Sequence, residues 1–182
     1  MGDAMLEALG RLALTGPGQA AVLAGATALA LAAPDVDLLM LRLLHHRSIL
    51  THSVLFPLLV LWFLPALGPA AVAGVALGVA VHFAADLLSP ARGFGQVWLP
   101  EPFQVSLGRW SHLWLLVNAL GASWLALAVL PPGARGLALG VGVVAALGYG
   151  LVRERSVLSA LVALAVVAGP AAWDRWGRGL LA

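Results

Sequence analysis

Ala70–Leu88 reads AAVAGVALGVAVHFAADLL, nineteen residues that are apolar throughout except at His82 and Asp86. At 1.5 Å per residue such a helix is about 28 Å long, close to the hydrocarbon thickness of a bilayer. The stretch therefore predicts a membrane-spanning helix. His82 and Asp86 are four apart and share one of its faces. A charged Asp in hydrocarbon costs kilocalories unless it is paired, coordinated or near water. A cation held by both side chains would offset that cost, since imidazole with carboxylate is ordinary ligation for zinc or a harder divalent ion. A hydrogen-bonded His–Asp pair joining two helices accounts for the pair equally well.

The remaining sequence agrees with a membrane setting. Of 182 residues 62% are hydrophobic and only 10% charged, against about a quarter charged in soluble domains. Mean hydropathy is +0.98. Apolar runs recur and are punctuated by Gly16-Pro17-Gly18, Pro34, Gly68-Pro69, Ser89-Pro90, Pro131-Pro132-Gly133 and Arg153-Glu154-Arg155. The expected fold is an all-α, polytopic membrane helical bundle, one integral membrane domain over 1–182. It has about six transmembrane helices, or five, with its metal-site core at about 33–112. The second of the six is expected from Ser48, as its cap, to about Leu67. Ala4, Leu6, Leu9, Leu12 and Leu14 beside Asp3, Glu7 and Arg11 predict an N-terminal amphipathic helix on the membrane surface. With no Cys there is neither a disulfide framework nor a thiolate site. All ten basic residues are Arg, and Ala, Gly, Leu and Val abound. This reads as a GC-rich bacterial genome, hence a bacterial cytoplasmic (inner) membrane, multi-pass. A net charge of +2 gives no argument for nucleic acid.

Six antiparallel spans would gather nearly every unusual residue at one surface: Asp35, Asp37, His45, His46, Arg47, Asp86, His112 and the long loop 91–111. Asp35 and Asp37 are two apart, so both reach one ion only where the backbone is bent, as Pro34 permits. A helix N-terminus stabilised by acidic residues explains them as well. His46 and His52 are good ligands as neutral imidazoles, and the planar fork of Arg47 suits phosphate. Thr51 and Ser53 are placed to orient ligands or contact substrate. An interfacial His/Arg patch on anionic lipid headgroups is the plainer alternative, and His45 fits it best. His112, at a helix start, is a further candidate.

Pro34-Asp35-x-Asp37, His46-Arg47-x3-Thr51-His52-Ser53 and His82-x3-Asp86-x2-Ser89-Pro90 together resemble the YdjM-like family of predicted membrane-bound metal-dependent hydrolases. That family's pattern is a PDxD element, an HRG-x-THS element and an H-x3-D-x2-(T/S)-P element followed by glycine. The likeness covers about Ala33 to Pro100. Members often carry a His near the N-terminus, and here none precedes Ala33. Ser48 stands where the family prefers Gly, and the second element is one residue longer. The resemblance implies a metal-dependent hydrolase and places ligand roles on Asp35, Asp37, His46, His52, His82 and Asp86.

Combined, these readings give a membrane hydrolase acting on a lipid or other membrane-associated phosphoester through metal-activated water. Asp35, His52 and Asp86 are the expected catalytic residues. Arg47, Thr51, Ser53, Arg92 and Arg109 are expected to bind substrate, a membrane lipid or lipid-linked molecule. The cofactor is expected to be a divalent metal, zinc first, with manganese or magnesium as alternatives, in one or two ions. The competing classes are a metal-ion transporter or sensor and a non-enzymatic scaffold with a headgroup-binding His/Arg patch. There is no His-Glu-x2-His for a zinc protease. With no Lys, a phosphohistidine-type lipid phosphatase is disfavoured. A zinc amidase resembling alkaline ceramidases stays open.

Overall fold

A computed structural model describes residues 16–89 and 95–177. The amphipathic helix expected before Gly16, and Arg92, lie outside the described residues. The chain is all-helical: α1 (Gly16–Ala30), α2 (Leu41–Leu44), α3 (Leu55–Phe63), α4 (Gly68–Asp86), α5 (Ser111–Ala128), α6 (Arg135–Gly148) and α7 (Val157–Ala172). A 3-10 segment, Ala33–Met40, lies between α1 and α2. One π turn, Tyr149–Arg153, continues α6. Among the described residues no strand forms; isolated bridges join Ser48 to Trp98 and Trp98 to Ser106.

Among the described residues five stretches are long and apolar enough to cross a membrane: Gly16–Leu44, Pro65–Asp86, Gly108–Ala128, Pro132–Arg153 and Val157–Arg175. The sixth expected span, Ser48–Leu67, is not among them. Ser48 caps no helix: its Oγ takes the Leu50 N–H at 3.4 Å, its own N–H goes to Asp37 Oδ2 at 3.0 Å, and no helix follows directly. Its neighbour Ile49 donates to the Trp98 carbonyl at 2.8 Å. Helix begins only at Leu55 and ends before Pro65, nine residues or about 14 Å, roughly half the hydrocarbon core. The polar residues between His46 and Ser53 are held by side chains, and that local bonding wins over helix propensity.

α4 stands in the middle, with 72% of its apolar window buried against 22–39% for the other four spans. Its Ala, Gly and Val side chains let neighbours come close, which is how helices associate where lipid removes the hydrophobic drive. A Cβ on Gly74 would meet the Leu23 carbonyl oxygen at 2.5 Å, and one on Gly78 the Thr27 carbonyl oxygen at 2.5 Å. Because later residues of α4 meet later residues of α1, the two helices run parallel. The short α3 segment returns the chain between them. α6 also ends near their C-termini, where Tyr149 reaches His82. α5 starts there, with His112 on the Ser89 carbonyl. The polar residues thus gather at one end with the five stretches found among the described residues, the lower of the two numbers expected.

Gly78→Ala is expected to lower stability in reversible detergent unfolding by about 1–3 kcal/mol, the usual penalty of overpacking. Gly140→Ala, where a Cβ meets nothing within 4 Å, should be neutral or slightly stabilising. Equal stabilities for the two variants would contradict the close α1–α4 contact.

Candidate metal centre

The acidic pair is divided by the backbone that carries it. Pro34 opens the 3-10 segment at a position where its missing N–H is not needed. With about three residues per turn, side chains two apart point in different directions. Asp35 turns to α4, its Oδ1 3.6 Å from His82 Nε2. Asp37, fully buried, turns to the 46–52 turn. Its Oδ2 accepts from the Ser48 N–H at 3.0 Å and the Thr51 hydroxyl at 2.8 Å. Its Oδ1 lies 3.4 Å from His46 Nδ1. The turn itself is strained: His45 and Arg47 sit at φ 58° and 56°, a left-handed conformation that side chains with a Cβ resist. The 95–107 loop holds it there. Trp98 N–H donates to the Arg47 carbonyl at 3.0 Å, and the Trp98 ring lies against His45 with centroids 5.5 Å apart.

Four side-chain atoms meet above this turn. His52 Nε2 lies 3.3 Å from Asp86 Oδ2, His82 Nε2 lies 3.4 Å from the same oxygen, and His82 Nε2 lies 3.6 Å from Asp35 Oδ1. Ligating atoms of Asp35, His52 and His82 all fall within 4.8 Å of one another, a group that could hold a metal ion. The hydrogen-bond network assigns the tautomers. His82 Nδ1 is 2.9 Å from the Leu31 carbonyl, which can only accept, so the hydrogen is on Nδ1. His52 Nδ1 faces Thr51 Oγ1 at 3.1 Å and Asp37 Oδ2 at 3.4 Å. That hydroxyl already donates to Asp37, so Nδ1 again carries the hydrogen. Both imidazoles then turn Nε2 toward carboxylate oxygens, presenting a lone pair there whenever the ring is neutral. His52 Nε2, His82 Nε2 and Asp86 Oδ2 are buried with no hydrogen-bond partner.

Neutral rings so placed set acceptors against acceptors, and a cation between them relieves that repulsion. Bonds of about 2.1 Å in tetrahedral geometry separate ligand atoms by about 3.4 Å, and three of the atom pairs stand 3.3–3.6 Å apart. The donor set of two imidazoles and two carboxylates suits a divalent ion. Behind each imidazole stands the supporting acceptor that usually orients a ligating histidine: Asp37 and Thr51 for His52, the Leu31 carbonyl for His82.

Of the six ligands expected from sequence, Asp35, His52, His82 and Asp86 converge. Asp37 and His46 stand one layer back, facing each other, because the 3-10 twist carries Asp37 to the far side of His52. Arg47 is also redirected. One guanidinium nitrogen donates to Asp86 Oδ1 at 2.7 Å and Ser89 Oγ at 3.0 Å, the other to the Gly95 carbonyl at 3.0 Å. Its fork holds Asp86 in place and does not face an open phosphate site. Thr51 serves Asp37 and His52, and Ser53 Oγ bonds the local backbone at Leu50 and Leu55. Arg109 lies exposed over the Trp110 ring, 5.2 Å from its centroid. His112 Nε2 donates to the Ser89 carbonyl at 2.9 Å.

Three contributors were not singled out from sequence. Trp114 Nε1 donates to the His52 carbonyl at 2.7 Å, Asn118 accepts from the Val54 N–H at 2.8 Å, and the Tyr149 hydroxyl is 3.2 Å from His82 Nδ1. Their signals were present: Asn118 is a polar residue within an apolar span, and Tyr149 is the sole tyrosine. Compared with known proteins, the chain matches no protein family, no curated protein and no solved structure.

Asp37→Asn is expected to weaken divalent-ion binding about 10–100-fold while helical content is retained, as measured by metal titration of the purified protein. Unchanged affinity would remove Asp37 from its supporting role.

Proposed function

We propose that this protein is a membrane-embedded metal-dependent hydrolase of a lipid or other membrane-associated phosphoester. The observation that carries the reading is the convergence of Asp35, His52 and His82, whose ligating atoms lie within 4.8 Å of one another, with Asp86 Oδ2 3.3–3.4 Å from both imidazole Nε2 atoms. Asp35, His52 and His82, with Asp86 beside both imidazoles, would hold one divalent ion, zinc by the mixture of nitrogen and oxygen donors. When bound, such an ion supplies Lewis acidity toward a phosphoryl oxygen and acidifies a water. The likeness of the three motifs to the YdjM-like hydrolases points the same way.

The protein's own groups have distinct parts. Asp35 is the most exposed of the four, its side chain 25% accessible against 0–14% for the others. It marks the open edge of the centre, and its second oxygen can take a proton from an incoming water. Arg47 fixes Asp86 and partly neutralises it. Asp37, Thr51 and the Leu31 carbonyl hold the hydrogens on the outward nitrogens, so the inward ones stay basic. Beside Asp35, the apolar Leu38, Leu39, Leu41 and Leu43 are 44–84% exposed, an apron suited to lipid. Transport across the bilayer would instead want donors along a path. Here they cluster at one end of the bundle.

The purified full-length protein is expected to carry about one divalent ion per chain by elemental analysis, with the ion lost in His52→Ala and Asp86→Ala. Lipid phosphoester hydrolysis should vanish in the same variants and on chelation, and return when metal is restored. Full activity in the ion-free variants would contradict the proposal, and so would wild type that binds no divalent ion on titration.

A further inference from the structure

Two cavities share a wall at Leu31, whose carbonyl bonds His82. One, of about 680 Å³, is lined by Leu31, Gly148, Tyr149, Val152, Arg153 and Arg155. The other, of about 580 Å³, runs between α1 and α6 past Ala24, Ala28, Leu31, Gly136, Gly140 and Val144. Leu31 lines both, so the two adjoin at that side chain, one on the apolar flank of the bundle and the other at its polar end. The α1–α6 groove offers no polar side-chain group to an occupant. Its one hydroxyl, on Thr27, is turned back to the Leu23 carbonyl at 2.8 Å. Substituents on Gly136 or Gly140 would meet nothing within 4 Å, whereas Gly142 and Gly150 are tightly packed against α7. α6 is thus closed on one face and open on the groove face.

The polar end has the opposite character. Arg153 and Arg155 both line the cavity and are exposed. Among the described residues no ion pair engages either. Glu154, between them, is not part of the cavity wall. The Arg153 guanidinium is 6.0 Å from the centroid of the Tyr149 ring. Tyr149 and Leu31 also orient the catalytic cluster: the Tyr149 hydroxyl is 3.2 Å, and the Leu31 carbonyl 2.9 Å, from His82 Nδ1. Asp35, the exposed edge of the cluster, follows Leu31 by four residues.

We infer that the paired cavity seats one lipid with a phosphate-bearing anionic headgroup, its hydrocarbon chain between α1 and α6 and its phosphate against Arg153 and Arg155. A chain in the groove gains little over one in the bilayer, since both surroundings are apolar. The groove therefore sets position, and the arginines, through charge-assisted hydrogen bonds to phosphate, set preference. That the seated phosphoester is the one hydrolysed at Asp35 rests on the function proposed above; the lipid seat itself does not.

The test uses full-length protein in phosphatidylcholine nanodiscs and phosphatidic acid bearing a photoreactive group on its acyl chain. Cross-links are expected within 24–31, the end of α1 and the residue after it, and 136–145 of α6. They should be displaced by unlabelled phosphatidic acid and left in place by glycerol phosphate, which has no chain. Labelling of these segments should fall about tenfold, one lost anchor's worth, in the double variant Arg153→Gln/Arg155→Gln, and should disappear in Gly140→Leu. Metal content, measured on the same samples, should equal wild type in all of them. Equal groove labelling by a phosphatidylcholine probe would overturn the inference, as would groove labelling indifferent to the arginine substitutions. Groove-specific labelling in a wild type that binds no ion would keep the lipid seat and remove the hydrolase reading. Ion binding without groove labelling would do the reverse.

Discussion

Two carboxylates and two imidazoles meet at one end of a helical bundle whose other surroundings are apolar, and with neutral rings their facing atoms are all acceptors. In this setting a lone charged Asp costs about 3 kcal/mol at the least. Asp86 is only half relieved, since Arg47 takes one oxygen and the other faces two nitrogens. Protonating one imidazole would give Asp86 a donor. It would also place that charge beside the second imidazole, whose outward nitrogen is already occupied by the Leu31 carbonyl or by Thr51 and Asp37. A divalent cation satisfies all four groups at once. The surrounding bonds make sense on that basis, because each fixes a hydrogen or an oxygen on the side facing away from the centre.

The bundle serves this requirement by bringing distant stretches to one end. Small residues on α4 let α1 lie parallel and close, so Leu31 and Asp35 arrive beside His82 and Asp86. The strained turn at His45–Arg47 then carries His52 beneath them. A ladder of backbone bonds to Trp98 ties this turn to the loop before α5. Strain at His45 and Arg47 is thus borne by contacts from a segment fifty residues away in sequence, a common arrangement where a site needs fixed geometry.

Fold class was legible in the runs of about twenty apolar residues, which have no other economical explanation. The convergence at one end was legible too, although the reasoning from six antiparallel spans was not how it arose. Ser48–Leu67 looked like a span because it is apolar by composition. Its start is consumed by Asp37 and Trp98, interactions between segments that no local pattern records. The division of labour between Asp35 and Asp37 was likewise hidden. A spacing of two says that they diverge, and only the 3-10 segment and its neighbours say which of them meets His82. Arg47 looked like a phosphate fork, and its partner proved to be the carboxylate four residues after His82. Arg153 and Arg155 read only as part of a charged turn between apolar runs until their position near Tyr149 and His82 was visible.

The central claim concerns which atoms surround a cation, and X-ray absorption spectroscopy of the metal-loaded full-length protein addresses it directly. The arrangement calls for a first shell of nitrogen and oxygen near 2.0–2.1 Å, with outer-shell scattering from two imidazoles. A bound ion whose spectrum shows no imidazole, or one still bearing two imidazoles after His82→Ala, would contradict it.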